Sequence, residues 1–236
     1  MTPLNPTYQE IEAIYGRTIG RGARSLSVTA IRSGDGATTL AQALAARSAA
    51  AGLRTVYLDL NLHRPLVRAV ESVWRPGNRS VNAVCLPADP SRSFDLVPAP
   101  VAPREGRDTL VDFREGRHLS SLLQDDLAAY EVIVVDTSPA TLINGRNIPA
   151  DRIAAACDAA ILVALSAGTR LPEARAVVEN LRLAGANLAG LVLNDRDFPT
   201  LGEEFAREAR RLRRFLPGFS ERLARWFLSR PLLRRH

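Results

Sequence analysis

Short apolar runs alternate along the chain with stretches of helical periodicity. The runs are nearly continuous in apolar residues, which is typical of strands that are covered on both faces. They predict strands over residues 25–31, 55–60, 94–98, 131–136, 159–165 and 189–193. Between them, the pattern predicts helices over residues 38–51, 119–129, 149–156 and 171–184. This alternation implies an α/β fold, a doubly wound and mostly parallel sheet.

The domain organisation follows from length and composition. A chain of 236 residues suffices for one large α/β domain. Residues 76–103 are rich in Pro, Ser and Arg and indicate loop around one short strand. With no internal repeat and no second apolar core in the pattern, we predict one domain over residues 1–202. A basic helical tail is predicted over residues 203–236.

The charge changes this picture in two ways. All 31 basic residues are arginine, which excludes Schiff-base chemistry and an in-chain lysine for phosphate binding. The tail holds 10 Arg against 4 Glu, whereas residues 1–202 hold 21 Arg against 21 acids. The excess of positive charge therefore belongs to the tail and indicates an anionic partner. An aromatic content of 6% argues against single-stranded nucleic acid as that partner.

The tail carries two apolar stripes at helical spacing, separated by Pro217 and Gly218. The first stripe consists of Phe205, Ala209, Leu212 and Leu216, and packing on the sheet is expected for it. The second consists of Phe219, Leu223, Trp226 and Phe227, interleaved with arginines. An apolar face with Trp beside a basic face is typical of an interfacial membrane helix, so residues 219–236 are expected to contact an anionic membrane. Packing of this second stripe on the body is the alternative.

The location of the protein is predicted from what the first residues and the apolar runs contain. Residues 1–16 show no basic region followed by an apolar stretch, so no signal peptide is expected. The longest apolar run, residues 153–165, is too short to span a bilayer. We therefore expect a cytoplasmic protein, which the basic tail would place at a membrane surface.

Candidate chemistry begins where the first strand ends. Residues 32–40 read Arg-Ser-Gly-Asp-Gly-Ala-Thr-Thr-Leu, and the predicted helix starts at the threonines. A glycine-rich turn at a helix N-terminus gathers backbone N–H groups and favours an anion. Gly34, Gly36 and a later Asp59 fit a dinucleotide fingerprint, whereas Thr38 and Thr39 suit a P-loop in which a hydroxyl ligates Mg²⁺. A tight strand-to-helix turn without a ligand is the third interpretation.

Two further strands end in carboxylates. Asp59 follows the apolar part of the second strand, and Asp136 closes the strand near residue 132. The carboxyl ends of parallel strands form the crevice where α/β proteins bind ligands. Asp59, Asp136 and the hydroxyl of Thr38 are therefore predicted metal ligands of a Mg-ATP or Mg-ADP site.

The motifs, taken in order, resemble the deviant-Walker P-loop ATPases of the ParA/MinD superfamily. The closest resemblance is to the cytoplasmic domain of the bacterial tyrosine kinases that regulate capsular and exopolysaccharide synthesis. Residues 33–39 correspond to the Pro-Gly-Glu-Gly-Lys-(Ser/Thr)-Thr motif, residues 59–65 to Asp-Ala-Asp-Leu-Arg-Arg-Pro, and residues 130–139 to the Walker B segment. The resemblance runs from about Tyr8 to Asn194, whose counterpart approaches the adenine.

The resemblance implies a set of site residues. Those expected to bind nucleotide are Gly34, Asp35, Gly36, Ala37, Thr38, Thr39 and Asn194. Arg32 stands where ParA- and MinD-like ATPases place a signature lysine, so it is a candidate for a phosphate contact across a dimer. A solvated loop arginine is the simpler interpretation of Arg32.

The departures from the family pattern bear on activity. The P-loop lysine position is Ala37, so the phosphates lose a charge-assisted contact and turnover should fall by roughly two orders of magnitude or more. Asn61 replaces a carboxylate, and no tyrosine follows Tyr130, whereas family kinases phosphorylate a tyrosine-rich C-terminal tail. An active tyrosine autokinase is therefore not expected.

The resemblance and its departures together predict a pseudo-kinase or pseudo-ATPase. It would act as a regulator or adaptor of exopolysaccharide synthesis or export, with a membrane-embedded polysaccharide chain-length regulator as partner and a homo-oligomer as its assembly. Two alternatives remain open, a MinD- or ParA-type slow ATPase that cycles on a membrane and a structural protein that binds no nucleotide.

Overall fold

The computed structural model describes residues 4–67, 74–77, 79–100, 109–166 and 168–195, together with 218, 222, 223, 225 and 226. The chain divides into two units, Met1–Asn194 and Asp195–His236. The predicted tail helices fall in the second unit and lie outside the described residues except for those five isolated helical positions. The predicted domain boundary at residue 202 also lies outside them and stays a prediction.

A single six-stranded sheet organises the first unit. All its strand pairs are parallel, in the order β3-β2-β4-β1-β5-β6. The strands are β1 (Ser25–Ala30), β2 (Thr55–Leu60), β3 (Asp95–Val97), β4 (Val132–Thr137), β5 (Ala159–Leu165) and β6 (Leu188–Asn194). Each lies within a residue or so of a predicted strand, so the predicted α/β sheet is confirmed. β1, β2 and β4 are buried along their whole length, which explains their uninterrupted apolar runs.

Helices cover both faces of this sheet. One face packs on the helices on either side of β1, and the other packs on the helices between β2 and β4 and on those that follow β4 and β5. The helices are α1 (Gln9–Arg17), α2 (Ala37–Ala50), α3 (Val81–Val84), α4 (Thr109–Arg114), α5 (Gly116–Ser121), α6 (Ala150–Ala156) and α7 (Leu171–Leu183). In the described part of the chain, no helix is long and apolar enough to cross a membrane.

The predicted helix over residues 119–129 is wrong in its detail. It begins earlier, as α5, and continues as one π-helical turn over Leu122–Asp126. The wider turn buries Asp126, whose carboxylate accepts the backbone N–H groups of Gly77 and Arg79 at 2.7 and 3.0 Å. The Arg24 guanidinium donates hydrogen bonds to the carbonyl oxygens of residues 123, 127 and 130. Arg24, which directly precedes β1, thus caps the end of this helix.

The N-terminal helix α1 is anchored on α2. Arg47 of α2 pairs with Glu12 at 2.5 Å and stacks over the ring of Tyr15 at 4.3 Å. Glu12 and Tyr15 therefore contact their own domain.

Candidate functional site

The loop between β1 and α2 has the backbone of a phosphate cradle. Gly34 and Gly36 take left-handed conformations with φ of +98° and +106°. Residues with a Cβ rarely adopt such angles, so the two glycines let the chain curl and start α2 at Ala37. The first turn of α2 thus points its free N–H groups toward the loop, as an anion requires.

Asn194, at the end of β6, closes against this loop. Its Nδ2 donates to the Asp35 carbonyl oxygen at 2.8 Å. A Cβ built on Gly36 would lie 2.6 Å from the same nitrogen, so only glycine fits there without displacing Asn194. The Asp35 side chain is buried and accepts the backbone N–H of Arg32 at 2.8 Å, which tightens the turn. Asn194 and Asp35, both predicted nucleotide-binding residues, therefore shape the loop itself.

Arg32 is engaged within its own chain. Its Nε donates to Oε1 of Glu173 on α7 at 2.6 Å, and its Nη2 forms an ion pair with Oε2 at 2.5 Å. Its Nη1 donates to the carbonyl oxygen of Gly168 at 3.2 Å. The pair ties the start of the phosphate loop to α7. A contact from Arg32 to a partner's phosphate, which stays a prediction, would have to break or share this pair.

Ala37, at the lysine position, is the first residue of α2 and is 5% exposed. Thr38 and Thr39 follow it and are half-buried. The chain contains no lysine that could take this place. The cradle consequently offers backbone N–H groups, glycine flexibility and a hydroxyl, without a cation at this position.

Thr38 and Asp136 meet directly. The Thr38 hydroxyl donates to Oδ2 of Asp136 at 2.6 Å, and Asn61 Nδ2 lies 3.4 Å from each of these two oxygens. Oδ2 of Asp136 also accepts the hydroxyl of Tyr57 at 2.9 Å. The other oxygen, Oδ1, is buried and has no hydrogen-bond partner among the described atoms.

Asp59 lies in register with Asp136 on the neighbouring strand but performs a different task. Its two oxygens accept the backbone N–H groups of Asn61 and Leu66 at 2.9 and 2.6 Å. Asp59 therefore holds the loop after β2 closed over the site and keeps Asn61 near Thr38. A carboxylate oxygen has further lone pairs, so this role is compatible with the predicted metal contact.

Burial dominates the protonation of both carboxyls. Removal from water raises the pKa of Asp136 to about 6, against the hydrogen bonds from Thr38, Tyr57 and Asn61 that lower it. Burial, reinforced by the charge of Asp136, raises the pKa of Asp59 to about 7. Near neutral pH the two carboxyls are therefore protonated part of the time. A bound cation would displace these protons.

The donor set fits Mg²⁺. Asp136 Oδ1 is a buried acceptor without a partner among the described atoms. The Thr38 hydroxyl donates its hydrogen bond to Oδ2 and accepts the long contact from Asn61 Nδ2, which leaves a lone pair of its oxygen to face a cation. Oxygen ligands from one or two carboxylates and a hydroxyl, completed by phosphates and water, are what Mg²⁺ takes in nucleotide sites. Among the described residues no cluster of three or more His, Cys, Asp or Glu forms a self-sufficient metal site.

Two residues that contact the site, Tyr57 and Glu173, were not predicted from the sequence. Tyr57 sits inside an apolar strand pattern and reads as core, and Glu173 lies in an ordinary amphipathic helix. One signal in the sequence could have indicated Tyr57. It lies two residues before a strand-end carboxylate, so both side chains face the same side of β2. Glu173 offered none.

Comparisons with known proteins bear on the fold that carries this site. No protein-family profile matches the chain. The tyrosine-protein kinase CpsD of Streptococcus agalactiae is 22% identical over 184 residues, which span 74% of this chain and 76% of CpsD.

Solved structures superpose on most of the chain. The chimerical protein CapA2B2 matches with a TM-score of 0.63 at 19% identity, over 80% of this chain and 86% of that one. The kinase domain of Escherichia coli tyrosine kinase ETK matches at 0.59 and 21% identity, over 73% and 68%. MinD of Pyrococcus horikoshii, complexed with Mg-ADP, matches at 0.53 and 19%, over 73% and 70%. The resemblance drawn from the motifs is confirmed, and the fold is that of an α/β P-loop NTPase.

Proposed function

We propose that this chain, which shares the fold of bacterial tyrosine kinase domains and of MinD, binds a magnesium nucleotide and acts as a catalytically weakened regulator or adaptor of exopolysaccharide synthesis or export. One observation carries the nucleotide part: the buried Oδ1 of Asp136, which has no hydrogen-bond partner among the residues that the structure describes, lies beside Thr38 and the two-glycine cradle. The biological role comes from the resemblance to the polysaccharide-regulating kinases and from the similarity to CpsD.

Weakened catalysis follows from the residues at the cradle. Mg²⁺, when bound, would neutralise phosphate charge and polarise the phosphoryl oxygens. Thr38 and Asp136 would hold it, with Asp59 keeping the loop of Asn61 in place. Ala37 supplies no charge to the terminal phosphates, and Asn61 provides an amide where the resembled motif has a carboxylate. Positioning therefore survives better than transition-state stabilisation.

The first prediction is binding with little turnover. Calorimetry with Mg-ADP and Mg-ATP should give a Kd between micromolar and millimolar, about −8 to −4 kcal/mol. Phosphate release should stay barely above background, because no lysine stands at the phosphates. Adenosine, which lacks phosphates, is the control and should bind far more weakly, because the cradle recognises anions. If the folded protein does not bind Mg-ADP at millimolar concentration, it is instead a structural protein.

A second candidate function is a MinD-like ATPase that cycles between dimer and membrane. The observation in its favour is the similarity to MinD complexed with Mg-ADP. Such an enzyme must be stimulated, so hydrolysis should rise several-fold with anionic vesicles or a partner protein. The adaptor stays slow under every one of these conditions, and the same phosphate-release assay separates the two functions.

The second prediction restores the missing cation. Ala37→Lys should tighten Mg-ADP binding about tenfold or more, because the ammonium group returns to a cradle that still presents its backbone N–H groups. Kinase activity should not follow, since Asn61 occupies a carboxylate position and no tyrosine lies beyond Tyr130.

The control for that variant is Ala37→Met, which adds a side chain of similar length without charge. Because Ala37 is buried, both variants test whether the site has room for a longer side chain. Tighter binding in the lysine variant alone assigns the gain to charge. Equal affinities in wild type, Ala37→Lys and Ala37→Met would mean that the loop does not bind phosphate as a P-loop does.

The partners are proposed on the same grounds. A membrane-embedded polysaccharide chain-length regulator would dock the chain at the inner membrane, and copies of the chain would form a homo-oligomer. The basic segment 219–236 is proposed to contact anionic lipid.

A further inference from the structure

Tyr57 is a polar group in an otherwise apolar layer. It lies on β2, is fully buried, and belongs to the core cluster that packs between the sheet and α2. Its ring contacts Phe94 with centroids 5.8 Å apart. Phenylalanine would satisfy this packing equally well, so the packing alone gives no reason for the hydroxyl.

The hydroxyl reaches the site from below. Asp59 and Asp136 form a registered pair at the strand ends, and Tyr57 lies two residue pairs deeper, opposite Val134. From there its hydroxyl donates to Oδ2 of Asp136 at 2.9 Å. Tyr57 and Thr38 thus donate two hydrogen bonds to the same carboxylate oxygen, and Oδ1 has no partner in the described part of the chain.

The two donors differ in what carries them. Thr38 belongs to the first turn of α2, directly after the phosphate loop, and its oxygen would itself face the cation. Tyr57 belongs to a central strand that is paired with β3 on one side and β4 on the other. Its hydrogen bond therefore does not depend on the conformation of the phosphate loop, and it fixes the rotation of the Asp136 carboxylate.

We propose that Tyr57 is a positioning residue for the metal site: its buried hydroxyl holds Asp136 so that Oδ1 is presented to the Mg²⁺ of a bound nucleotide. The inference rests on the proposed nucleotide-binding function and deepens it. Groups that orient a metal ligand typically change metal affinity tenfold to a hundredfold when they are removed.

The test compares ADP binding with millimolar Mg²⁺ and with a chelator. In Tyr57→Phe the gain in ADP affinity produced by Mg²⁺ should fall about tenfold relative to wild type. The affinity for ADP without metal should be unchanged, because the cradle does not contact Tyr57. If the Tyr57 hydroxyl were purely structural, its removal would lower the melting temperature and leave the Mg²⁺-dependent gain in ADP affinity intact.

Tyr130→Phe is the matched control. The Tyr130 hydroxyl also donates to a carboxylate, that of Asp95, at 2.8 Å. Tyr130 lies just before β4 begins, and Asp95 is the first residue of β3. This edge of the sheet is opposite the strand ends that carry the site. Tyr130→Phe should therefore keep the wild-type Mg²⁺ gain.

The outcomes separate the two levels of the proposal. Wild type that binds Mg-ADP, with an unchanged Mg²⁺ gain in Tyr57→Phe, overturns the role of Tyr57 and leaves nucleotide binding standing. Wild type that binds no nucleotide overturns both. If Tyr57→Phe does not fold, NMR of tyrosine-labelled wild type decides: addition of Mg²⁺ to the ADP complex should shift the Tyr57 signals and not those of Tyr130, and an unshifted Tyr57 overturns the inference.

Discussion

Replacing Gly36 by alanine is expected to lower the free energy of unfolding by about 2–3 kcal/mol and to weaken Mg-ADP binding more than tenfold. Gly36 has a φ of +106°, where a Cβ costs roughly 1–2 kcal/mol. The added methyl would also meet Asn194 Nδ2 at 2.6 Å. Moving Asn194 away breaks its hydrogen bond to the Asp35 carbonyl, which contributes about 1 kcal/mol. Urea unfolding and calorimetry measure the two effects.

Gly34→Ala is the control for Gly36→Ala. Gly34 has a similar φ of +98°, but a Cβ there meets nothing within 4 Å. It should therefore show the backbone strain alone. The difference between the two variants should shrink when each is combined with Asn194→Ala, because the clash partner is then gone. Equal costs for Gly34→Ala and Gly36→Ala, with or without Asn194, would contradict the close approach of β6 to the loop.

Lowering the pH from 8 to 5 is expected to stabilise the protein in the absence of metal. The pKa of Asp136 is raised to about 6 and that of Asp59 to about 7, from 3.8. A carboxyl with a raised pKa binds its proton more tightly when folded, so its contribution is present at low pH and is lost as pH rises through 6 to 7. For this buried pair the change amounts to about 2–4 kcal/mol. Denaturant unfolding at several pH values measures it.

Magnesium nucleotide should reverse this trend, because the cation replaces the protons at the ionised carboxylates. Asp136→Asn removes one charge and relieves Asp59, so it should flatten the pH dependence and abolish the Mg²⁺ gain in ADP affinity. Asp126→Asn is the control, since that buried carboxylate bonds the backbone of Gly77 and Arg79 outside this cluster. It should keep the wild-type dependence. Metal-free stability that rises from pH 5 to pH 8 would refute the coupling.

The strands, their order along the chain and the parts of the site could be predicted from the sequence. Apolar runs marked the buried strands because central strands of a parallel sheet meet helices on both faces. Gly34, Gly36, Asp59 and Asp136 could be placed at strand ends because the turns that contain them are local. The π-helical turn at Leu122–Asp126 could not be foreseen, since it depends on the distant groups that Asp126 and Arg24 bind.

Only the tertiary structure decided what each site residue does. The sequence presents Asp59 and Asp136 as equivalent carboxylates. Both oxygens of Asp59 accept backbone N–H groups of its own loop, whereas one oxygen of Asp136 has no partner within the described ranges. The partners of Asp136 and Arg32 lie on other elements of the fold. Tyr57 is 79 residues from Asp136, and Glu173 is 141 residues from Arg32. Periodicity encodes which face of an element is buried, but contacts over such separations are fixed by strand order and register, which the folded sheet alone defines.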